Sequence, residues 1–175
     1  MSHVFEVAPT GRAKCRGCGL QIERGQLRFG ELVPNPFGKG EATLWFHPPC
    51  AAFKRPESML EALPGAPESL TDRDELESLA RASATHRRLA RVDGAERAPS
   101  GKASCRECKQ PIARATWRIR LTIYEEGQFT NAGFIHFACR VPYFEGHEVL
   151  AALLQFSPGL ADEDREDLMK AYQGA

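Results

Sequence analysis

Trp117 to Tyr124 alternates apolar and polar residues, the period of a half-buried strand, and predicts that Arg118 and Arg120 lie on its solvent side. Gln26 to Val33 is a poorer version of the same pattern. Thr43 to His47 and Gly133 to His136 read as short return strands, each ending on a histidine. Between the first two, the Pro and Gly residues of Pro34-Asn35-Pro36-Phe37-Gly38-Lys39-Gly40 mark an exposed loop. Met59, Leu60 and Leu63 predict one or two amphipathic turns before Pro64. Thr71 to Asp74 has the form of a capping box opening a helix through Leu76, Leu79 and Ala80. Asp162 to Leu168 repeats this with an acidic first turn, which suits the helix dipole. These elements predict a small α+β fold of short antiparallel sheets with flanking helices. Apolar stretches such as Val149 to Leu154 are far too short to span a bilayer, and Met1 to Thr10 lacks the charged start and apolar centre of a signal peptide. The expectation is a soluble chain with no membrane partner, placed in the cytoplasm or nucleoid of a bacterium or the nucleus of a eukaryote.

The pattern is written twice. Shifted by 90 positions, Ala8-Pro9-Thr10-Gly11-Arg12-Ala13-Lys14-Cys15-Arg16-Gly17-Cys18 lies on Ala98-Pro99-Ser100-Gly101-Lys102-Ala103-Ser104-Cys105-Arg106-Glu107-Cys108. Ile22 then falls on Ile112, Arg24 on Arg114 and Arg28 on Arg118. The offset drops to 89 where His47-Pro48-Pro49-Cys50 meets His136-Phe137-Ala138-Cys139, and returns to 90 at Leu60 with Leu150 and Asp72 with Asp162. The boundaries predicted are a first repeat over 1–80, a helix end and linker over 81–97 with Gly94 and Pro99 as breakers, and a second repeat over 98–175.

Each repeat holds Cys-x2-Cys, a gap of 28 or 27 residues, and His-x2-Cys. The sets are Cys15, Cys18, His47 and Cys50, then Cys105, Cys108, His136 and Cys139. Three thiolates and one imidazole suit a closed tetrahedral zinc site, so two zinc ions per chain are expected. All six cysteines are used. A disulfide framework would need an oxidising compartment, and the repeated histidine argues for metal instead. A redox Cys-x2-Cys needs a strand-helix context that is not apparent here. An iron-sulfur cluster usually takes four thiolates, so the mixed donor set favours zinc. His3, His86 and His147 have no ligand-like partner nearby and are expected at the surface.

Composition alters this picture in two ways. Hydrophobic residues make up 42% of 175, a modest supply for a core, so each small repeat is expected to depend on its metal. The net charge is zero, but its distribution is uneven. Residues 8–55 carry eight Lys or Arg against three acids and residues 98–145 seven against four, while 56–97 and 146–175 are net acidic. Basic charge is thus concentrated around the predicted metal sites.

The string Gly11-Arg12-Ala13-Lys14-Cys15-x2-Cys18, followed by Leu27-Arg28 and Trp45-Phe46-His47-x2-Cys50, resembles the zinc finger of poly(ADP-ribose) polymerases, which occurs singly in DNA ligase III. The second copy, through Phe134-Ile135-His136-x2-Cys139, resembles it as closely. The resemblance implies tandem PARP-type fingers that recognise DNA strand breaks by shape rather than sequence, without the family's polymerase and so without enzyme activity. It implies phosphate contacts from Arg12 and Arg28 and from their counterparts Lys102 and Arg118. It further implies loop side chains stacked on the base pair exposed at a break, a role that falls to Phe37 and Phe129. Two departures stand out: the second apolar position of the first loop is the small Ala42, and the second loop is one residue shorter and carries Glu125-Glu126.

The function expected is therefore a zinc-dependent binder of nicks, gaps and ends, acting in DNA damage sensing and repair. The alternative is a zinc-stabilised adaptor whose acidic helices recruit a nuclease, ligase or other repair enzyme. A zinc enzyme ranks last, because four protein ligands leave no open position for water or substrate.

Overall fold

The computed structural model describes residues 3–35, 38–86, 90–125 and 127–174. The chain divides into two compact units, Met1–Arg87 with Tyr124–Phe129, and Arg88–Ile123 with Thr130–Ala175. Both follow one plan, a three-stranded antiparallel sheet with helices C-terminal to it.

In the first unit the sheet order is β1 (Val4–Val7), β2 (Leu27–Pro34), β3 (Glu41–Phe46). Its register places Glu6 opposite Arg28 and Phe29 opposite Phe46. Helices α1 (Pro48–Lys54) and α2 (Pro56–Ala62) each begin with proline, where a missing N–H costs nothing. They pack on α3 (Arg73–Thr85), and Ile22, Phe29, Phe46, Met59, Leu63 and Leu76 form the core. The second sheet orders β4 (Arg91–Arg97), β5 (Trp117–Glu125) and β6 (Gln128–His136). Helices α4 (Arg140–Tyr143), α5 (Leu150–Gln155) and α6 (Asp162–Gln173) follow, and Ile112, Ile119, Ile135, Tyr143, Leu153 and Leu168 are buried. The α+β class and the two-repeat plan hold.

Four expectations change. Arg91–Arg97 is a strand rather than a linker. Gly94, which reads as a breaker in sequence, sits at the bulge between Val92 and Ala95 with φ +109°, and a Cβ there would collide with the Phe156 carbonyl oxygen. Arg118 is not on the solvent side: β5 is covered on both faces, and neighbouring side chains of its own sheet enclose that guanidinium. The capping box does not form, because Asp72 at the N-cap of α3 has φ −98° and ψ 25° and its side chain makes no capping hydrogen bond. Acids in the first turn, Asp74 and Glu75, are left to complement the dipole. Finally, His3 and His86 are not surface residues. The ring of His3 accepts the Leu32 N–H at 3.2 Å, and His86 is buried. Among the described residues no helix is long and apolar enough to cross a membrane.

Two candidate metal centres and the residues beside them

Each centre starts on a tight turn. Lys14 bridges Gln21, the Cys15 N–H donates to the Leu20 carbonyl at 2.8 Å, and the Gly19 N–H returns to the Cys15 carbonyl at 2.9 Å. In the second unit Ser104 bridges Pro111, with Cys105 to Gln110 at 2.8 Å and Lys109 to Cys105 at 2.9 Å. The turn brings both thiols of Cys-x2-Cys to one side. A hydrogen bond then ties it to the strand that delivers the histidine, from Arg16 N–H to the Trp45 carbonyl and from Arg106 N–H to the Phe134 carbonyl, both 2.8 Å. His47 follows β3 as the N-cap of α1, whose first turn carries Cys50. His136 ends β6, and Cys139 closes a 3-10 turn over Phe137–Cys139.

Within each set, Cys15, Cys18, His47, Cys50 and Cys105, Cys108, His136, Cys139, all four ligand atoms lie within 4.8 Å of one another. The Nδ1 atoms face the thiols, at 3.5 Å from Cys18 Sγ in the first centre and at 3.3 and 3.9 Å from Cys108 and Cys139 Sγ in the second. A tetrahedral zinc with Zn–S of about 2.3 Å and Zn–N of about 2.0 Å sets its N···S edge at about 3.5 Å, so the spacing fits that ion. His136 Nε2 lies 3.0 Å from the Pro111 carbonyl oxygen. A carbonyl only accepts, so Nε2 carries the proton and Nδ1 keeps its lone pair for metal.

The electrostatics fit the same donor assignment. The N–H groups of Gly17 and His47 point at Cys15 Sγ at 3.3 Å, and that of His136 at Cys105 Sγ at 3.3 Å. Hydrogen bonds from Cys18 and Cys50 outweigh burial and hold the Cys15 thiol below its ordinary range. Burial pushes the Cys105 thiol up, but the backbone donors of Cys108, His136 and Glu107 outweigh it and bring it to about 7. Hydrogen bonds to the Cys15 and Cys18 thiolates raise His47 to about 10, the response of a base to a negative pocket. A dication answers the same field. The two sets bind two zinc ions per chain, and with four protein ligands each the sites are closed and structural.

The centres differ in cover. Gly17 packs against Cys50 so closely that a Cβ would fall 2.7 Å from the Cys50 Cβ, and Lys54 Nζ donates to the Gly17 carbonyl at 2.7 Å. In the second unit the position of Gly17 is held by Glu107, and Cys108 is exposed.

Residues 6–86 match the family model described as the Poly(ADP-ribose) polymerase and DNA-Ligase Zn-finger region. This is a PARP-type zinc finger. The second repeat carries the same ligand set on the same plan of strands. The chain is 30% identical over 138 residues to a poly [ADP-ribose] polymerase of Sarcophaga peregrina, and 32% identical over 142 residues to that of Drosophila melanogaster. These alignments cover 69% and 71% of the chain but 14% of each relative. Poly [ADP-ribose] polymerase 1 of Oryza sativa subsp. japonica is 27% identical over 154 residues, 83% of the chain and 16% of the relative, a span that necessarily enters both fingers. The chain therefore spans about a seventh of the length of these relatives, and what it shares with them is the zinc-finger region.

The residues expected at DNA are placed unevenly. Arg12 and Lys102 are exposed, three residues ahead of the first ligand of each finger. Arg28 and Arg118 are only 7% and 6% exposed. Phe37 lies outside the described residues. Phe129 is half-buried within the first unit, its ring 5.2 Å from that of Tyr124 and edge-on to Phe46 at 6.1 Å. Sequence reasoning passed over Glu6 and Glu96, the acids paired with the two buried arginines. The signal was present: the 90-residue offset that aligns Ala8 with Ala98 also aligns Glu6 with Glu96.

Proposed function

We propose that this chain is a DNA-binding protein, without catalytic activity of its own, that recognises strand breaks such as nicks, gaps and ends. The observation that carries the reading is the PARP-type match over 6–86, with an exposed basic residue, Arg12 or Lys102, set just ahead of each zinc ligand pair. Zinc supplies the rigid fold. Arg12, Arg28, Lys102 and Arg118 grip phosphates, the arginines as planar forks and Lys102 as a point charge. Phe37 and Phe129 stack on a base pair whose face only a break exposes. Such stacking is worth about 1–3 kcal/mol per base and carries no sequence preference. In this reading Phe129 leaves the edge of Phe46 to reach DNA, so Phe37 carries the larger share of the stacking.

The test is a titration of the zinc-loaded chain against a nicked duplex and its ligated twin, repeated with Arg12→Glu. The reading requires tighter binding to the nicked form and a loss of affinity on charge reversal. A chain that binds neither duplex supports the adaptor reading instead, in which the exposed acids Asp162, Glu163 and Glu166 of α6 meet a DNA-processing partner.

A further inference from the structure

The two buried arginines sit in one repeated arrangement. Glu6 on β1 lies directly opposite Arg28 on β2, and Glu96 on β4 directly opposite Arg118 on β5. Arg28 donates Nε to Glu6 Oε1 at 3.0 Å, and Arg118 donates Nε to Glu96 Oε1 at 2.9 Å. In both, Nη2 donates to the same oxygen. The flat of each guanidinium lies 3.6 Å over an aromatic ring, that of Trp45 in the first finger and of Phe134 in the second. One edge and one face are therefore occupied, while Nη1 of each arginine donates to nothing among the described residues.

The arrangement persists although its surroundings change. Val7 becomes Arg97, Leu27 becomes Trp117, Trp45 becomes Phe134, and Gly30 becomes Arg120, whose Nη1 lies 3.4 Å from the other oxygen of Glu96. Stability alone does not require this. Each pair joins a buried arginine to an acid whose side chain is 44% or 31% exposed. A half-exposed pair of this kind contributes little net stability, and even a fully buried pair is often no better than apolar residues of the same size. The fingers make that exchange three residues further along the strand, where the buried Glu31 of β2, bound by Arg55 and Ser58, is matched by Leu121 in β5. An acid retained at the root of a guanidinium, in the most basic part of each finger, calls for a functional account.

We propose that Glu6 and Glu96 are positioning residues of the DNA surface: each clamps the Nε–Nη2 edge of its arginine so that the Nη1 edge meets a backbone phosphate already oriented. This rests on the phosphate-binding reading above. Clamp and ring remove the rotamer freedom that a long side chain otherwise loses on binding. The arrangement also predicts an effect opposite in sign to simple electrostatics. Removing an acid beside a polyanion site normally tightens binding, whereas here it frees the arginine and weakens it.

The experiment measures affinity of the full zinc-loaded chain for a nicked duplex at fixed salt, in wild type, Glu6→Gln, Arg28→Gln and the double variant, with zinc content and melting followed in each. Expected is a loss of about 3- to 10-fold for Glu6→Gln, the scale of one charge-assisted contact made less well, with Glu6→Asp retaining most of the affinity. In the Arg28→Gln background, removal of Glu6 brings no further loss. Glu96→Gln and Arg118→Gln behave alike in the second finger. The inference is overturned if Glu6→Gln binds as tightly as wild type or tighter, if it costs the same with and without Arg28, or if its effect is accompanied by lost zinc. If wild type itself does not bind the nicked duplex, the phosphate reading has failed and the clamp falls with it.

Discussion

Removing zinc should unfold the fingers. Each metal joins a turn near the start of its repeat to the strand-helix junction beyond β3 or β6, and the four donor atoms lie within 4.8 Å of one another. Without a cation, thiolates at that spacing repel one another or retain protons. Each unit contains about 90 residues, and at about 0.05–0.15 kcal/mol per residue its net stability is about 4–14 kcal/mol. Structural zinc contributes about 10–16 kcal/mol of apparent binding energy at neutral pH, as much as the whole of that net stability. The two tryptophans report separately, Trp45 under Arg28 in the first finger and Trp117 bound to Asp167 in the second, its Nε1 donating at 2.6 Å. On adding a strong chelator, two equivalents of zinc should be released, with loss of far-ultraviolet circular dichroism and red shifts from both indoles. The second centre, where Cys108 is exposed, should release first, so the Trp117 signal should move ahead of Trp45. An apo chain that keeps its dichroism and both native indole spectra would refute the reasoning, because the sheet and helix packing would then suffice without the metal.

Other outcomes follow from single contacts. Arg55→Ala strips Glu31, 1% exposed, of its bidentate partner while the Ser58 hydroxyl stays at 2.6 Å, so urea denaturation should show a loss of about 3–5 kcal/mol. Gly94→Ala forces a side chain into a left-handed bulge and against the Phe156 carbonyl, and should lower the melting temperature of the second finger by an amount equivalent to about 1–3 kcal/mol. Phe37→Ala should reduce the preference for nicked over intact duplex by about 1–3 kcal/mol while leaving affinity for the intact duplex unchanged, measured by fluorescence anisotropy.

Both ligand sets were legible because the chain repeats itself: an offset of 90 or 89 identifies all eight residues without any reference to structure. Strands β2, β3, β5 and β6 were visible for the same reason, with alternation strongest at Trp117 to Tyr124. Strands β1 and β4 were not. Val4–Val7 has four residues and largely exposed positions, and Arg91–Arg97 is interrupted by the glycine that makes its bulge. The burial of Arg118 was hidden because alternation records which face a residue takes, not what covers it. The covering groups, Phe134 and Glu96, come from other strands. His86 was misread similarly, since the packing that buries it is tertiary.

The central claim is that a broken duplex offers this chain something that an intact one lacks. The most direct measurement is competition between a covalently closed circular plasmid and the same plasmid nicked once, with the zinc-loaded protein at physiological salt. The account predicts that the nicked circle competes for the protein at far lower concentration than the closed one, and that the difference shrinks in Phe37→Ala. Equal competition by the two circles would contradict it.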